Sequence, residues 1–276
     1  MLIFQVPIGF ALAALIGVLG YRRRALSRSG VAGAIVTGGL IFGFAGPSGA
    51  ALLLTFFLSS SALSRFKESQ KESLAEKFSK GSQRDLAQAL ANGGAAALCA
   101  VGWGLTHGPL WWVGLCAALA AANADTWATE LGVLSPHAPR LVSNWKTVEV
   151  GTSGGISLWG TAAALAGSLC VAVVALAASV LDPALAAFAP RAIASTLVIT
   201  FAGLAASLFD SLLGATVQAI YFCDVCRKET ERHPLHRCGA TTRPLRGWPW
   251  LDNDGVNFLA TAVGAGVAAG FFLVGR

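Results

Sequence analysis

A chain of 276 residues with only 12% charged and 55% hydrophobic side chains lacks the polar surface of a water-soluble globule, which usually carries about a quarter charged residues. The mean hydropathy of +0.64 and the 32 glycines fit helices packed closely in lipid instead. The net charge of +6 could serve a nucleic acid, but its distribution argues for membrane topology and an anionic substrate.

Taken in chain order, eight segments approach the ~20 apolar residues of a membrane-crossing helix: 2–20, 30–46, 48–64, 85–105, 109–133, 154–181, 190–221 and 253–274. The first, Met1 to Tyr21, has no basic residue before it and no small-residue cleavage site, so it reads as a retained span. All of the 20 Lys and Arg except Arg191 and Arg276 fall on odd-numbered connections. Positive charge stays on the cytoplasmic side during insertion. The expected fold is therefore a single all-α domain over 1–276, a polytopic transmembrane bundle of about eight spans. Its N-terminus lies outside and its basic face looks into the cytoplasm of a bacterial or equivalent membrane. Two extramembrane pieces stand out: a charged surface helix or flap at 65–84, and a Cys/His-containing loop at 222–252.

Polar residues recur on the spans where lipid would penalise them. Arg84, Gln88 and Asn92 climb one face of the fourth span at four-residue steps. The fifth brings Asn123, Asp125, Thr129 and Glu130 toward its cytoplasmic end, with Asp125 and Thr129 on one face. The seventh carries a stripe of Ser207, Asp210, Ser211, Gly214 and Gln218, and the eighth opens with Asn253, Asp254 and Asn257. Helix-to-helix hydrogen bonding accounts for Gln88, Asn92 and Gln218 as readily as function does. Intramembrane carboxylates, however, default to functional sites. Asp125, Asp210 and Asp254 in one region repel each other unless a cation neutralises them, and carboxylate and amide oxygens suit Mg²⁺.

Between the fifth and sixth spans, Gly151, Gly154 and Gly155 free the backbone, while Thr152 and Ser153 offer hydroxyls. Exposed amides before a helix N-terminus make an anion site, to which Lys146 adds a point charge. The order of a Walker A loop is absent. In the seventh connection Cys223 and Cys226 have zinc-knuckle spacing, followed by His233, His236 and Cys238. A structural Zn²⁺ site is expected with His236 rather than His233 as the fourth ligand, and a redox pair is the alternative. Cys99, Cys116 and Cys170 read as packing residues, and Trp111, Trp112, Trp248 and Trp250 as interfacial anchors.

Five ordered strings carry a resemblance: RDLAQALANGG, NADTWATELGVLS, PRLVSNWKTVEVGTSGGISLWGT, ASLFDSLLGATVQ and WLDNDGVNFLAT. Together they resemble a family of integral membrane proteins that includes the plant phytyl-phosphate kinases. The likeness runs from about Arg22 to the C-terminus and departs from the family's pattern at Ala206, where glycine is expected. It implies phosphoryl transfer from a nucleoside triphosphate, CTP first among them, to a prenyl monophosphate. Asp125, Asp210 and Asp254, helped by Asn253 and Asn257, would hold Mg²⁺. Lys146, the 151–155 loop and Arg84 would bind phosphate, with the lipid tail between spans. A transporter or scramblase for a polyprenyl or lipid phosphate is the competing class; it requires its acids at the bilayer midplane with an outward path.

Overall fold

The computed structural model describes residues 2–67 and 83–274. Among them run seven α-helices: α1 (Leu2–Arg22), α2 (Arg28–Arg65), α3 (Leu86–Thr106), α4 (Pro109–Gly132), α5 (Leu158–Leu181), α6 (Ala192–Thr216) and α7 (Asn253–Val274). The charged segment 65–84 lies outside the described residues from 68 to 82.

The segments 30–46 and 48–64 join into α2, but Gly46 leaves helical space at φ 65° and ψ −161°, just before Pro47. Glycine tolerates that conformation, and proline removes the amide that would continue the ladder. The break reverses the chain. A Cβ on Gly38 would sit 3.7 Å from Leu53, and one on Gly20 would touch both Leu26 and Phe57. On a straight helix the first of these pairs, 38 and 53, would be about 22 Å apart. Bent double, α2 supplies two crossings.

Among the described residues six helices have the length and hydropathy of a span. The less apolar α4 is nonetheless the axis of the bundle: every residue from Trp112 to Ala124 is buried, and α2, α3, α5, α6 and α7 all pack on it. α1 packs chiefly on α2. The crossings alternate between two ends. At the basic end Ser27 N donates to Arg84 O (2.9 Å) and the Arg65 guanidinium reaches Arg23 O. At the other, Ser48 Oγ donates to Asp182 Oδ2 at the foot of α5 (2.6 Å), and Gln5 Nε2 to Phe42 O (3.2 Å). A 3₁₀ helix, Pro183–Arg191, closes that end with Leu185 and Phe188 buried.

Asn123, expected among the substrate-binding residues, is instead fully buried in this seam. Its Nδ2 donates to Gly167 O (2.7 Å), and its Oδ1 accepts from Ser59 and Ser60 (2.9 and 3.3 Å), tying α2, α4 and α5 together. Asn123→Ala should lower stability by about 1–2 kcal/mol, read as a drop in detergent thermal unfolding, while leaving site chemistry alone. Trp112, expected at an interface, is 3% exposed and packs 5.8 Å from Trp103.

The span expected at 190–221 ends at Thr216, because the polar Gln218 and the strand-forming Ile220–Cys223 follow. Two small sheets stand at the basic end. β1 (Arg140–Leu141) pairs antiparallel with β2 (Gly155–Ile156). β3 (Ile220–Cys223), β4 (Lys228–Thr230) and β5 (Arg243–Arg246) pair in the order β4-β3-β5.

Candidate active site

At the basic end a cavity of about 280 Å³ opens among α3, α4, α6, α7, the glycine-rich hairpin and the β3–β5 loop. Helical spacing explains what lines it. Arg84 comes from just before α3, Gln88 and Asn92 from its first two turns, and Asp125, Thr129 and Glu130 from the last two turns of α4. α6 contributes Ser207, Asp210 and Ser211, and the first turn of α7 contributes Asn253 and Asn257.

Two acids from the membrane helices meet a third from the loop. Asp125 and Asp210 lie within electrostatic reach of each other and of Glu231, which follows β4 and also lines the cavity. Oδ2 of Asp210 is buried and has no hydrogen-bond partner among the described residues. Glu130 accepts a bond from Ser64 Oγ and feels the charge of Arg84. Like charges gathered in low dielectric repel strongly, so this arrangement calls for a cation or shared protons.

Arg84 is the basic side chain that lines the cavity among the described residues. Its backbone is clamped by Ser27 N and Ala25 O. Its Nη1 donates to Ser61 Oγ (3.0 Å), and its guanidinium lies 5.4 and 5.8 Å from the Phe56 and Phe57 ring centres.

The glycine-rich turn is pressed against the end of α6. Gly151 and Gly154 have φ of 80° and 82°, and a Cβ on Gly154 would collide with the Ala215 backbone, so only glycine fits. Ser153 Oγ donates to Gln218 Oε1 (2.8 Å), and Gln218 Nε2 to Glu231 Oε1 (2.9 Å). Arg246 of β5 donates to Gly214 O (2.6 Å) and Ser153 O (3.3 Å). Hairpin, α6 and loop are thus stitched into one wall. The N-terminus of α5 completes it, capped by Ser157, whose Oγ accepts from Gly160 N (3.0 Å).

Farther out, one ligating atom each of Cys223, Cys226, His236 and Cys238 lies within 4.8 Å of the others. Cys223 Sγ is 3.7 Å from Cys238 Sγ, close to the edge of a tetrahedron built on ~2.3 Å zinc–sulfur bonds. His236 Nδ1 is 3.2 Å from Cys238 Sγ, and the Cys226 amide donates to Cys223 Sγ (3.5 Å). The Cys238 thiol is pulled down to about 6, chiefly by its hydrogen bond with His236 and then by the Ala240 backbone. Cys226 is pushed up to about 11, chiefly by its hydrogen bond to Cys238. This Cys₃His group could hold a metal ion. His233 stacks on Tyr221 at 4.3 Å instead.

A family model described as "Integral membrane protein DUF92" matches residues 11–265. The chain belongs to the DUF92 family. Among its relatives, Protein PGR of Arabidopsis thaliana is 36% identical, covering 93% of this chain and 92% of the relative. An uncharacterized membrane protein of Synechocystis is 26% identical over 90% of this chain and 83% of its own length. Protein VTE6, chloroplastic, also of Arabidopsis, is 27% identical over 88% of this chain and 64% of that protein. No solved structure matches the chain.

In this DUF92 protein the cavity gathers Arg84, Gln88, Asn92, Asp125, Glu130, Gly151, Thr152, Ser153, Gly154, Gly155, Asp210, Ser211, Asn253 and Asn257. Besides Asn123, two residues expected there lie elsewhere. Lys146 lies in the tight turn that follows β1, its backbone carbonyl accepting from Leu141 N (2.8 Å), and its exposed side chain does not line the cavity. Asp254 turns aside from the cavity and lines a neighbouring groove with Val36, Leu40 and Leu90; successive helical residues point about 100° apart. Glu231, which the sequence did not single out, stands where a third acid was sought. Gln88 also has a local task, since its Oε1 accepts from Asp85 N (3.1 Å) in a capping box.

Proposed function

We propose that this protein is a membrane kinase that moves the terminal phosphoryl group of a nucleoside triphosphate onto a prenyl monophosphate. CTP is the donor that the likeness to phytyl-phosphate kinases favours. The observation that carries the proposal is the meeting of Asp125, Asp210 and Glu231 beside a glycine-rich turn and Arg84. An oxygen of the prenyl monophosphate attacks the γ-phosphorus, the β–γ bridging oxygen leaves with the nucleoside diphosphate, and a prenyl diphosphate results. The acceptor is already an anion, so no base need deprotonate it.

Mg²⁺ fits the donor set, which is made of hard oxygens and includes the buried, unpartnered Oδ2 of Asp210. Asp125, Asp210 and Glu231 would hold the ion, which when bound neutralises phosphate charge. Gly151 to Gly155 and the α5 N-terminus would cradle phosphate, Arg84 would add positive charge, and Asn253 and Asn257 would orient the substrates. By the distribution of Lys and Arg the site faces the cytoplasm, where nucleotide is available. The Cys₃His group would carry structural Zn²⁺.

Depth supports an enzyme over a transporter. Asp125 and Asp210 lie about 10 Å from the basic ends of α4 and α6. Beyond them α4 is packed on all sides, with every residue from Leu115 to Ala122 buried, so no path runs along its surface.

Transfer of label from γ-labelled CTP or ATP to phytyl, geranylgeranyl or farnesyl monophosphate, abolished by EDTA, tests the proposal in purified protein. Folded protein that moves no label with any donor overturns it. Glu231→Gln keeps side-chain size and removes one ligand charge. It should raise the Mg²⁺ concentration for half-maximal rate about tenfold, a loss of about 1.4 kcal/mol; an unchanged Mg²⁺ dependence removes Glu231 from the ion's shell.

A further inference from the structure

A second cavity, about 90 Å³, lies between α1, both limbs of α2 and α3. It shares Arg84, Gln88 and Asn92 with the polar cavity, so the two spaces meet across one rank of side chains. Away from that rank its walls are apolar, with Leu12, Ile16, Phe42, Leu53 and Phe57 among them. The one other polar wall residue, Thr37, spends its hydroxyl on Gly33 O (2.9 Å). Small residues on facing helices, including Ala34, Gly38 and Ala50, leave this space unfilled. Protein interiors are otherwise packed to crystal density, and a dry apolar void favours an apolar occupant.

We propose that this slot holds the hydrocarbon tail of the substrate whose phosphate lies in the polar cavity; the assignment rests on the kinase reading for the identity of that substrate. The junction is itself amphipathic. Arg84 turns charge toward the polar side, while Phe56 and Phe57, which lie under its guanidinium, also wall the slot. A phosphate-to-chain boundary would sit there, with anion on one side and carbon on the other.

The slot runs from Phe57 near the basic end toward Gly9, Phe42 and Ala50 near the far end of the bundle. From Ala34 to Phe42 it covers about 12 Å of helix. One wall is α1, which packs chiefly on α2 and exposes Ile8, Leu15 and Leu19 on its outer face. A tail therefore reaches the slot from the bilayer rather than from water.

Filling the slot should convert it into a length filter. Binding of geranylgeranyl and geranyl monophosphate to the full chain in detergent would be measured by ligand-induced thermal shift. Variants would be Ala50→Phe at the far end and the milder Ala34→Leu. Ala50→Phe should weaken the long chain about tenfold or more and leave the short one near wild type. Folded variants that bind both chains like wild type overturn the slot, as does wild type that binds neither. Independent of any variant, a diazirine at the tail end of geranylgeranyl monophosphate should label α1, α2 or α3. Labelling confined to α5, α6 or α7 overturns the assignment. Chain-length discrimination in binding without phosphoryl transfer sinks the kinase reading alone; transfer without discrimination sinks the slot alone.

Discussion

Asp210→Asn should lower phosphoryl transfer by about 10²–10³-fold while the protein folds at least as well as wild type. The amide is nearly isosteric, so the packing of Asp210 among Ser207 and Ser211 on α6 is kept. What disappears is one negative charge facing Asp125 and Glu231. If that charge serves to bind a cation, removing it weakens charge neutralisation of the phosphates where crowding is greatest. Its removal also relieves like-charge repulsion in the cavity, so the thermal midpoint should hold or rise. Lost activity with retained or raised stability is the signature of a site held in electrostatic strain for function. An active Asp210→Asn protein takes this carboxylate out of the mechanism; an inactive, unfolded one gives it a structural task.

Stripping the Cys₃His group should have the second largest effect. Metal analysis of purified protein should find one zinc per chain, lost in Cys226→Ser/Cys238→Ser. Metal binding of this kind is coupled to local folding. Without it the turn at Cys223–Cys226 and the return at His236–Cys238 lose their common anchor. Three consequences then reach the cavity. Glu231 is no longer held at Gln218, Arg246 no longer pins Ser153 to the end of α6, and the glycine-rich turn loses a wall. Transfer should fall on the order of 10–100-fold. Protease should cut between 224 and 246, while far-ultraviolet dichroism still reports the helices. Undiminished transfer from zinc-free protein would make the loop dispensable to the site.

The helical plan was legible because lipid imposes a simple rule: long apolar runs cross, and arginine and lysine stay behind. The reversal inside α2 could be read from Gly46 and Pro47, which split an otherwise continuous apolar stretch into two lengths that each span. The polar cavity was legible for the same reason. Asp125, Asp210, Arg84 and Asn257 stand out against alanine and leucine, and helical spacing puts them at one end. Glu231 carried no such contrast. It sits in a run of charges, Lys228 to Arg232, where one more acid is unremarkable, and only the closure of the loop brings it to α4 and α6. Asp254 failed through helical phase: Asn253 and Asp254 are neighbours in sequence, and where α7 begins decides which one faces inward. Lys146 failed because a tight turn closed by Leu141 N and Lys146 O, too local to mark in sequence, holds it away from the cavity. Asn123 shows a fourth limit, since a buried amide that binds helices together has the same sequence appearance as one that binds substrate.

The burial of α4 has a consequence for biogenesis. A helix enters the bilayer from the insertion machinery before its neighbours have all assembled, and at that moment it faces lipid alone. α4 is poorly suited to that exposure, with Asp125 and Glu130 in its second half and alanine where other spans have leucine or valine; a carboxylate costs most at mid-span, about 2.5–3.5 kcal/mol on insertion scales, and less toward the end where these two lie. Its partner for entry is set by the chain itself. Only His107 and Gly108 separate the end of α3 from the start of α4, so the two must cross as a hairpin, with α3 shielding one side of α4. The helix that carries Asp125 thus depends on its neighbours for a place in the membrane, and a nascent chain should be retained at the insertion site after α4 until α5 emerges to cover it.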